Sequence, residues 1–267
     1  MQIITSTANQ AVKDLVKLRK TAKRKEKDLV LVDGQREVVV AIGAGWVVER
    51  LFVCEKILKK TKNFQVYLKD NEVKLTLVSE EVFQKISLKE KPDGVLATFF
   101  PKHQDISSLV LPERPLVIIL ESVEKPGNIG AIIRTAAAAG VHLIIINSNQ
   151  TDIYNPNTIR SSEGEVFTQK IVKMSAQDTV LWLKKNKIKP FGAIVDGAKD
   201  YTKTDLSGPV ALVLGSEASG LSTFWRNEVK EKIRIPMAGK IDSLNVSVAA
   251  AVIAFESLRQ RREKRDN

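Results

Sequence analysis

The sequence has few of the side chains that commonly transfer protons or bind metal ions. Among 267 residues there are two histidines and one cysteine. These residues lie far apart, so they give no metal-site spacing and we expect no bound metal. Cys54 cannot form a disulfide within the chain and follows the apolar run LFV. We therefore expect a small buried residue at Cys54 and a reducing, cytoplasmic environment.

Long hydrophobic runs are also absent. No apolar run reaches the length needed to cross a bilayer, and the N-terminal segment MQIITSTANQAVKDL has no continuous signal core. Aromatic residues make up 6% of the chain, which does not indicate a base-stacking platform for single-stranded nucleic acid. We expect a soluble, cytoplasmic protein.

Positive charge, in contrast, is in large excess. The net charge is +11 at pH 7, with a pI near 9.6, and this favours a polyanionic partner. Nucleic acid is favoured over an anionic membrane surface. Basic residues cluster between Lys13 and Lys27 and again in the C-terminal segment LRQRREKR. The first cluster is a candidate RNA contact, with a merely solvated helix face as the alternative.

The pattern of strands and helices predicts two domains. Up to about residue 100, short strand signals such as LVLVDG, VERLFV and GVLATFF alternate with helical segments, which indicates a compact α/β unit. The stretch PKHQDISSLVLPERP contains three prolines and interrupts this periodicity. We place the boundary there, with an N-terminal α/β domain at 1–105 and a second domain at 113–267.

The second domain has longer and more apolar strand signals. The runs LVIIL, LIIIN, FGAIVD and VALVLGS show little alternation, which is typical of a parallel sheet covered by helices on both faces. The last element is predicted to be a long helix from about Ser243 to Lys264. The fold class is therefore α/β.

The first of three glycine-bearing loops in this domain is ESVEKPGNIGAIIR. Gly127 and Gly130 do not form a dinucleotide-binding fingerprint. Asn128 stands where a helix N-cap would. Arg134 lies among small and apolar residues of the helix that follows, where its guanidinium needs a partner such as a phosphate or a carboxylate.

The other two loops also follow strand signals. In LVLGSEASGLS, Glu217 is the one carboxylate, and Gly215 and Gly220 allow close approach of a ligand; a tight structural turn is the alternative. In RIPMAGKIDSLNVS, a turn of small residues leads to Ser243, which is placed to cap the final helix. Open α/β sheets bind ligands at such loops, beyond the carboxyl ends of the strands.

The segments NIGAIIR, LGSEASGL and IPMAGKIDSLNVSVAAA resemble, in order and spacing, the three motifs of the SpoU (TrmH-type) family of RNA ribose 2′-O-methyltransferases. The resemblance covers 113–267. Weaker similarity in ITSTANQAVKDLVKLR and LVLVDGQREVVVAIGAGWVVERLFV is to the ribosomal-protein-like substrate-binding domain of many members. The resemblance implies a SPOUT fold, in which the C-terminal part of a parallel sheet is threaded into a deep trefoil knot, and a homodimer formed through this domain.

The resemblance also implies S-adenosylmethionine as the cofactor, held in a bent conformation by the knot. Gly215, Ile235 and Leu244 would line it, with three further residues nearby: Leu214, Met237 and Ser243. The residues that match the family's active-site positions are Asn128, Arg134, Glu217, Ser243 and Asn245. Asn245, in the first turn of the final helix, is placed to reach the substrate ribose.

The role of Arg134 stays open between three interpretations. In the family, the motif-one arginine is thought to help deprotonate the 2′-hydroxyl. A guanidinium does not ordinarily lose its proton, so we favour a clamp that binds an RNA phosphate and stabilises the developing oxyanion over a base. A structural ion pair, for instance with Glu217, is the third interpretation. Glu217 is expected to orient Arg134 or Asn128.

The leading hypothesis is an S-adenosylmethionine-dependent RNA 2′-O-methyltransferase that acts on ribosomal RNA. tRNA is the alternative substrate, but the tRNA enzymes typically carry terminal basic extensions rather than an N-terminal α/β domain, which favours 23S rRNA. A non-catalytic RNA-binding factor with a decayed domain is disfavoured because the active-site positions are intact. A nicotinamide oxidoreductase is disfavoured by the missing fingerprint. Arg160, in NPNTIRSSEGEVF, is a further candidate RNA contact.

Overall fold

The computed structural model describes the following residues: 3–58, 74–102, 104–148, 151–195 and 198–266. The chain divides into two compact units, 1–103 together with Asp152–Thr168, and 104–151 together with 169–267. This division differs from the predicted domains in the segment Asp152–Thr168, which groups with the first unit. Within that unit, the Trp46 ring meets the rings of Tyr154 and Phe167 edge-on, with centroids 5.3 and 5.0 Å apart.

The strands of the described residues are β1 (Ile3–Ile4), β2 (Val30–Asp33), β3 (Val48–Val53), β4 (Leu75–Val78), β5 (Val95–Phe99), β6 (Leu116–Leu120), β7 (Leu143–Ile146), β8 (Ile171–Lys173), β9 (Lys189–Ala193), β10 (Lys199–Asp200), β11 (Val210–Leu214) and β12 (Glu231–Arg234). The helices are α1 (Gln10–Lys17), α2 (Thr21–Lys27), α3 (Gln35–Gly43), α4 (Glu80–Ile86), α5 (Pro126–Ala139), α6 (Pro156–Ser161), α7 (Ala176–Lys185), α8 (Thr223–Glu228) and α9 (Val246–Asp266).

The first unit is built on a mixed sheet with the strand order β1-β4-β3-β5-β2. β5 runs antiparallel to β2 and β3, whereas β4 runs parallel to β1 and β3. The predicted strands and helices of this unit are confirmed. Ser79 caps α4 because its hydroxyl accepts a hydrogen bond from the Val82 amide at 3.3 Å. Cys54 is buried, as predicted.

One member of the basic cluster between Lys13 and Lys27 is a structural residue. The Arg24 side chain is only 4% exposed, and its guanidinium donates to the Leu18 carbonyl at 2.7 Å and to the Asp152 carboxylate at 2.5 Å. These bonds satisfy a buried charge that would otherwise be costly. Arg24 is therefore unsuited to the RNA contact that the sequence suggested for the whole cluster.

The second unit contains a seven-stranded sheet in the order β10-β12-β9-β11-β6-β7-β8, and every neighbouring pair is parallel. All residues of β6, β7 and β11 are buried, as the uninterrupted apolar runs predicted. The predicted α/β class with a central parallel sheet is confirmed. The carboxyl ends of the parallel strands meet at one edge, and the loops that leave this edge carry the site.

The final helix begins three residues later than predicted, at Val246 rather than Ser243. Asn245 caps it, because the Asn245 Oδ1 atom accepts hydrogen bonds from the Ser247 amide at 3.0 Å and the Ser247 hydroxyl at 2.6 Å. Further along, the Ser257 hydroxyl donates to the Leu206 carbonyl at 2.8 Å. Arg261 donates to the carbonyl of Gly208 at 2.5 Å. These bonds fix α9 to the loop that precedes β11.

Candidate functional site

A cavity of about 490 Å³ lies at the carboxyl ends of β9, β11 and β12. All six residues predicted to contact a cofactor line it: Leu214, Gly215, Ile235, Met237, Ser243 and Leu244. They come from the ends of β11 and β12 and from the segment before α9. Three of the predicted active-site residues line the same cavity: Ser243, which is also one of these six, together with Glu217 and Asn245. Three loops that are distant in sequence thus form one concave surface.

The loop after β11 is closed on itself at Gly215. Ser216 and Gly220 form an antiparallel bridge, and the Gly220 amide donates to the Ser216 carbonyl at 2.9 Å. A Cβ atom on Gly215 would lie 2.2 Å from both the carbonyl carbon and the oxygen of Gly220. The sequence suggested that Gly215 admits a ligand. The structure shows instead that Gly215 admits the chain's own backbone, which shapes the cavity wall.

A buried carboxylate holds the other end of this loop. Glu121, directly after β6, is 9% exposed and accepts hydrogen bonds from the Ser222 amide at 2.8 Å and the Ser222 hydroxyl at 2.6 Å. Ser222 is the N-cap of α8. No role was predicted for Glu121, the first residue of the loop ESVEKPGNIGAIIR. The sequence around Glu121 gives little indication of its role, because an acid directly after an apolar strand does not reveal a hydrogen-bond partner 101 residues away.

Glu217 is the centre of a polar network at the edge of the cavity. Its Oε1 atom accepts a hydrogen bond from the Asn128 side-chain amide at 2.9 Å and another from the Asn245 side-chain amide. Asn245 also donates to the Asn128 Oδ1 atom at 3.2 Å. Lys125 forms an ion pair with Glu217 Oε2. The structure therefore brings together three of the five predicted active-site residues.

These contacts determine the ionisation of Glu217. The hydrogen bond from Lys125 lowers the pKa of the Glu217 carboxyl, and the bond from Asn128 lowers it further, against a smaller opposing effect of desolvation. Glu217 is therefore a carboxylate at neutral pH and acts as an acceptor. Sequence analysis did not assign a role to Lys125, although it stands directly before the proline that begins α5.

The helix-cap interpretations of Asn128 and Ser243 are wrong. α5 begins at Pro126 with Lys125 at its N-cap, so Asn128 lies inside the first turn. Its amide is directed to Glu217 rather than to the backbone of its own helix. Ser243 is exposed, lines the cavity and lies two residues before the cap of α9.

Arg134 is exposed, whereas its apolar neighbours in the sequence suggested burial. The buried face of α5 is formed by residues at helical spacing: Ile129, Gly130, Ile132, Ile133, Ala136 and Ala139. Arg134 lies outside that stripe. Arg134 follows Asn128 by six residues, so the two positions are about 120° apart around the helix axis. Arg134 is therefore not the buried guanidinium that its sequence context suggested.

Further residues that sequence analysis did not assign complete the cavity. Ala193 ends β9, Ile194 and Val195 follow it, and Arg226 of α8 and Asp242 also line the cavity. The Arg226 Nε atom donates to the Leu221 carbonyl at 2.9 Å. The sequence signal for the first three residues is their position at the end of an apolar parallel strand, where such sheets place ligands.

Two negative findings apply to the described part of the chain. None of its helices is both long and apolar enough to cross a bilayer. Within the same residues, no group of three His, Cys, Asp or Glu side chains is arranged to hold a metal ion.

A cavity lined by loops at the carboxyl edge of a parallel sheet, with a polar network beside it, defines a ligand-binding α/β protein. Comparison with protein families identifies which ligand-binding α/β family this is. The SpoU rRNA Methylase family matches residues 115–255, and the MRM3-like substrate binding domain matches residues 9–97. The chain belongs to the SpoU rRNA methylase family.

Individual relatives match over most of the chain. One is the 23S rRNA (guanosine(2553)-2′-O)-methyltransferase RlmP of Bacillus subtilis (strain 168), with 27% identity over 96% of this chain and 98% of the relative. Another is the 23S rRNA (uridine(2479)-2′-O)-methyltransferase of Streptomyces viridochromogenes, with 30% identity over 86% and 83%. An AdoMet-bound rRNA methyltransferase structure from Sinorhizobium meliloti matches 97% of each chain, with 29% identity and a TM-score of 0.87.

Proposed function

We propose that this protein transfers a methyl group from S-adenosylmethionine to a ribose 2′-hydroxyl in ribosomal RNA, with 23S rRNA as the substrate. One observation carries the proposal: the six cofactor positions line a single cavity, and the Glu217 network lies at its edge. The names of the relatives support rRNA over tRNA as the substrate. The match of residues 9–97 to a substrate-binding domain supports a separate RNA-binding role for the first unit.

The residues of the cavity fit the proposed cofactor. Leu214, Ile235 and Leu244 supply apolar walls suited to an adenine ring, and the loops between them expose backbone groups that can bind its polar edge. Ser243 and Asp242 place a hydroxyl and a carboxylate at the more exposed end. When bound, S-adenosylmethionine supplies an activated methyl group on a sulfonium.

The Glu217 network positions groups rather than transferring protons. Glu217 Oε1 already accepts two amide hydrogen bonds, and its pKa is lowered, so the carboxylate is a poor base for a ribose hydroxyl. The network fixes the side-chain amides of Asn128 and Asn245 in one orientation. Fixed amides at the mouth of the cavity can hold the 2′-oxygen in line with the reacting methyl group, and such positioning accelerates transfer.

We assign Arg134 the role of a phosphate clamp. Arg134 is exposed on α5, and a guanidinium does not ordinarily lose its proton in a protein. A planar, permanently charged donor binds a phosphate in two places and stabilises negative charge that develops on the neighbouring 2′-oxygen. The base interpretation would require a buried environment that the exposed position of Arg134 does not provide.

We further propose a homodimer, a trefoil knot in the second unit and a cytoplasmic location. Support for the dimer comes from α9, where Val248 and Phe255 are each 46% exposed and lie seven residues apart, on one face of the helix. Support for the knot comes from the match of residues 115–255 to the SpoU family, whose resemblance implied it. Light scattering tests the dimer, and a monomeric mass at micromolar concentration would contradict it.

The choice of RNA is tested with labelled S-adenosylmethionine and transcripts made in vitro, which carry no methyl groups. We expect label in 23S rRNA and background incorporation in a tRNA mixture under the same conditions. Equal transfer from a variant that carries Asn128→Ala, Glu217→Ala and Asn245→Ala would expose a contaminating activity. Label in tRNA alone would overturn rRNA as the substrate, and no label in either would favour a non-catalytic RNA-binding factor.

A further inference from the structure

A second cavity, of about 510 Å³, lies in the first unit between α1, α2 and β3. We call it the α1–α2 groove and define it by six of its lining residues: Leu15, Lys17, Leu18, Lys23, Lys27 and Phe52. Its volume lies within the range of roughly 300–1,000 Å³ that is typical of small-molecule pockets. The groove is formed by residues of one unit, so it does not depend on the proposed active site.

The floor of the groove is apolar with one polar edge. Leu15 and Leu18 are each 5% exposed and Phe52 is 3% exposed, so they form a firm apolar surface. At one side, the Thr98 hydroxyl donates to Glu49 Oε2 at 2.7 Å. Arg50 lies beside Glu49, with 3.9 Å between the nearest charged atoms. This edge offers hydrogen-bond donors and an acceptor next to an apolar floor.

Lysines form the rim. Lys17 pairs with Asp14 at 2.9 Å and Lys23 with Glu26 at 2.5 Å, both between residues three apart on an exposed helix. Exposed pairs of this kind contribute little, so both lysines remain available to another anion. Lys27 pairs with no carboxylate in the part of the chain that the structure describes.

The groove lies in a field of strong positive charge. Residues 10–28 contain eight lysines and arginines against three acids. Of the eight, Arg24 is buried and Arg19 donates to the carbonyls of Lys85 and Ser87 at 2.6 and 3.0 Å. The remaining six are lysines on the outside of α1, α2 and the turn between them. A polyanion is attracted to such a surface.

We propose that the α1–α2 groove binds one unpaired nucleotide of the substrate RNA. The base lies on the apolar floor with its edge toward Glu49 and Arg50, and the flanking phosphates contact Lys17, Lys23 and Lys27. Arginine donors and carboxylate acceptors are the groups that proteins use to bind base edges. Two of the three floor residues, Leu15 and Leu18, are aliphatic. The base is therefore enclosed by apolar side chains and does not stack between several aromatic rings.

The recessed shape argues for a nucleotide over a membrane surface. A membrane-binding face presents apolar side chains outward, whereas Leu15, Leu18 and Phe52 are almost completely buried. The proposal rests on the proposed function in one respect, that the partner is RNA. It adds where on the first unit the RNA binds, and that the RNA binds there as one unpaired nucleotide.

The test uses the full-length protein and two fluorescein-labelled probes, a short single-stranded RNA of mixed sequence and the same strand in a perfect duplex. Affinity is measured by anisotropy over a series of salt concentrations. In Lys23→Gln/Lys27→Gln we expect single-strand affinity to fall at least about ten-fold at low salt. The slope of log K against log salt should become shallower by about 1.4, since each phosphate contact to a single strand contributes about 0.7.

The matched control is Lys13→Gln/Lys25→Gln. It removes the same charge from two exposed lysines that do not line the groove, one in α1 and one in α2. We expect its single-strand affinity to change less than about three-fold. Equal losses of single-strand affinity in the two double variants would overturn the proposal. They would indicate only a diffuse electrostatic attraction between the lysines and the RNA.

A third variant, Ala11→Trp, fills the groove without altering any charge, because Ala11 lines it from α1. We expect it to weaken single-strand binding while duplex affinity stays unchanged. Unchanged binding to both probes would overturn the proposal. A far-ultraviolet circular dichroism spectrum and a melting temperature close to those of the wild type confirm that each variant is folded. Wild-type protein that binds the single strand but transfers no label to 23S rRNA would instead contradict the proposed function, so the two failures are distinguishable.

Discussion

Replacing Arg134 with alanine is expected to lower the rate of methyl transfer by roughly 10²–10³-fold, the usual effect of removing one group that stabilises a developing oxyanion. Affinity for S-adenosylmethionine should change by less than about two-fold, because Arg134 is exposed on α5 and is not among the residues that line the cofactor cavity. Single-turnover transfer to an rRNA transcript measures the first quantity, and calorimetry measures the second.

Arg134→Lys separates the two chemical roles of the side chain. A lysine keeps the positive charge but not the bidentate donors, so a phosphate clamp predicts partial recovery of the rate relative to Arg134→Ala. A base predicts a new dependence of the rate on pH near the pKa of lysine. Loss of transfer and of cofactor binding together in Arg134→Ala would contradict both roles and indicate a structural arginine.

The second large effect is expected at Gly215. Gly215→Ala should weaken S-adenosylhomocysteine binding by about 100-fold or more. The new Cβ atom would lie 2.2 Å from the Gly220 carbonyl group and 2.5 Å from the Leu221 amide nitrogen. All three atoms belong to the backbone, so no side-chain rotation can relieve the contact, and the loop after β11 must open. Calorimetric titration of the variant measures the loss.

Gly208→Ala is the matched control for this change. A Cβ atom on Gly208 would meet no heavy atom within 4 Å, although Gly208 lies close to the beginning of β11, the strand that ends before Gly215. We expect near-wild-type affinity and thermal stability. If Gly215→Ala also bound the ligand normally, the wall formed by Gly215 and Gly220 would not be part of the cofactor site.

Patterns local in sequence predicted the sheet and the position of the cavity. β6, β7 and β11 are uninterrupted apolar runs, and a fully buried parallel strand requires that composition. Leu214 ends such a strand, and this placed it at the carboxyl edge in advance. Ile235 follows β12, whose sequence EKIR is not an apolar run, so its position depended on the resemblance alone. The resemblance of the three motifs then assigned them to one ligand.

Contacts between distant residues were not predictable in the same way. Glu217 and Asn128 are 89 residues apart, and nothing near either one identifies Lys125 as the ion-pair partner of the carboxylate. Arg24 looked like its neighbours in the basic cluster, yet its pairing with Asp152 over 128 residues makes it structural. The exposure of Arg134 depended on which face of α5 packs inward, and its mostly apolar sequence left that face ambiguous.

The central claim is that the methyl group is placed on a ribose oxygen, and one measurement tests it directly. 23S rRNA transcribed in vitro is labelled with radioactive S-adenosylmethionine and this protein, and the product is then hydrolysed in alkali. A 2′-O-methyl group removes the hydroxyl that alkali uses to cleave the adjacent 3′-phosphodiester, so we predict label in alkali-resistant dinucleotides. Label in mononucleotides would show methylation of a base and would contradict the account.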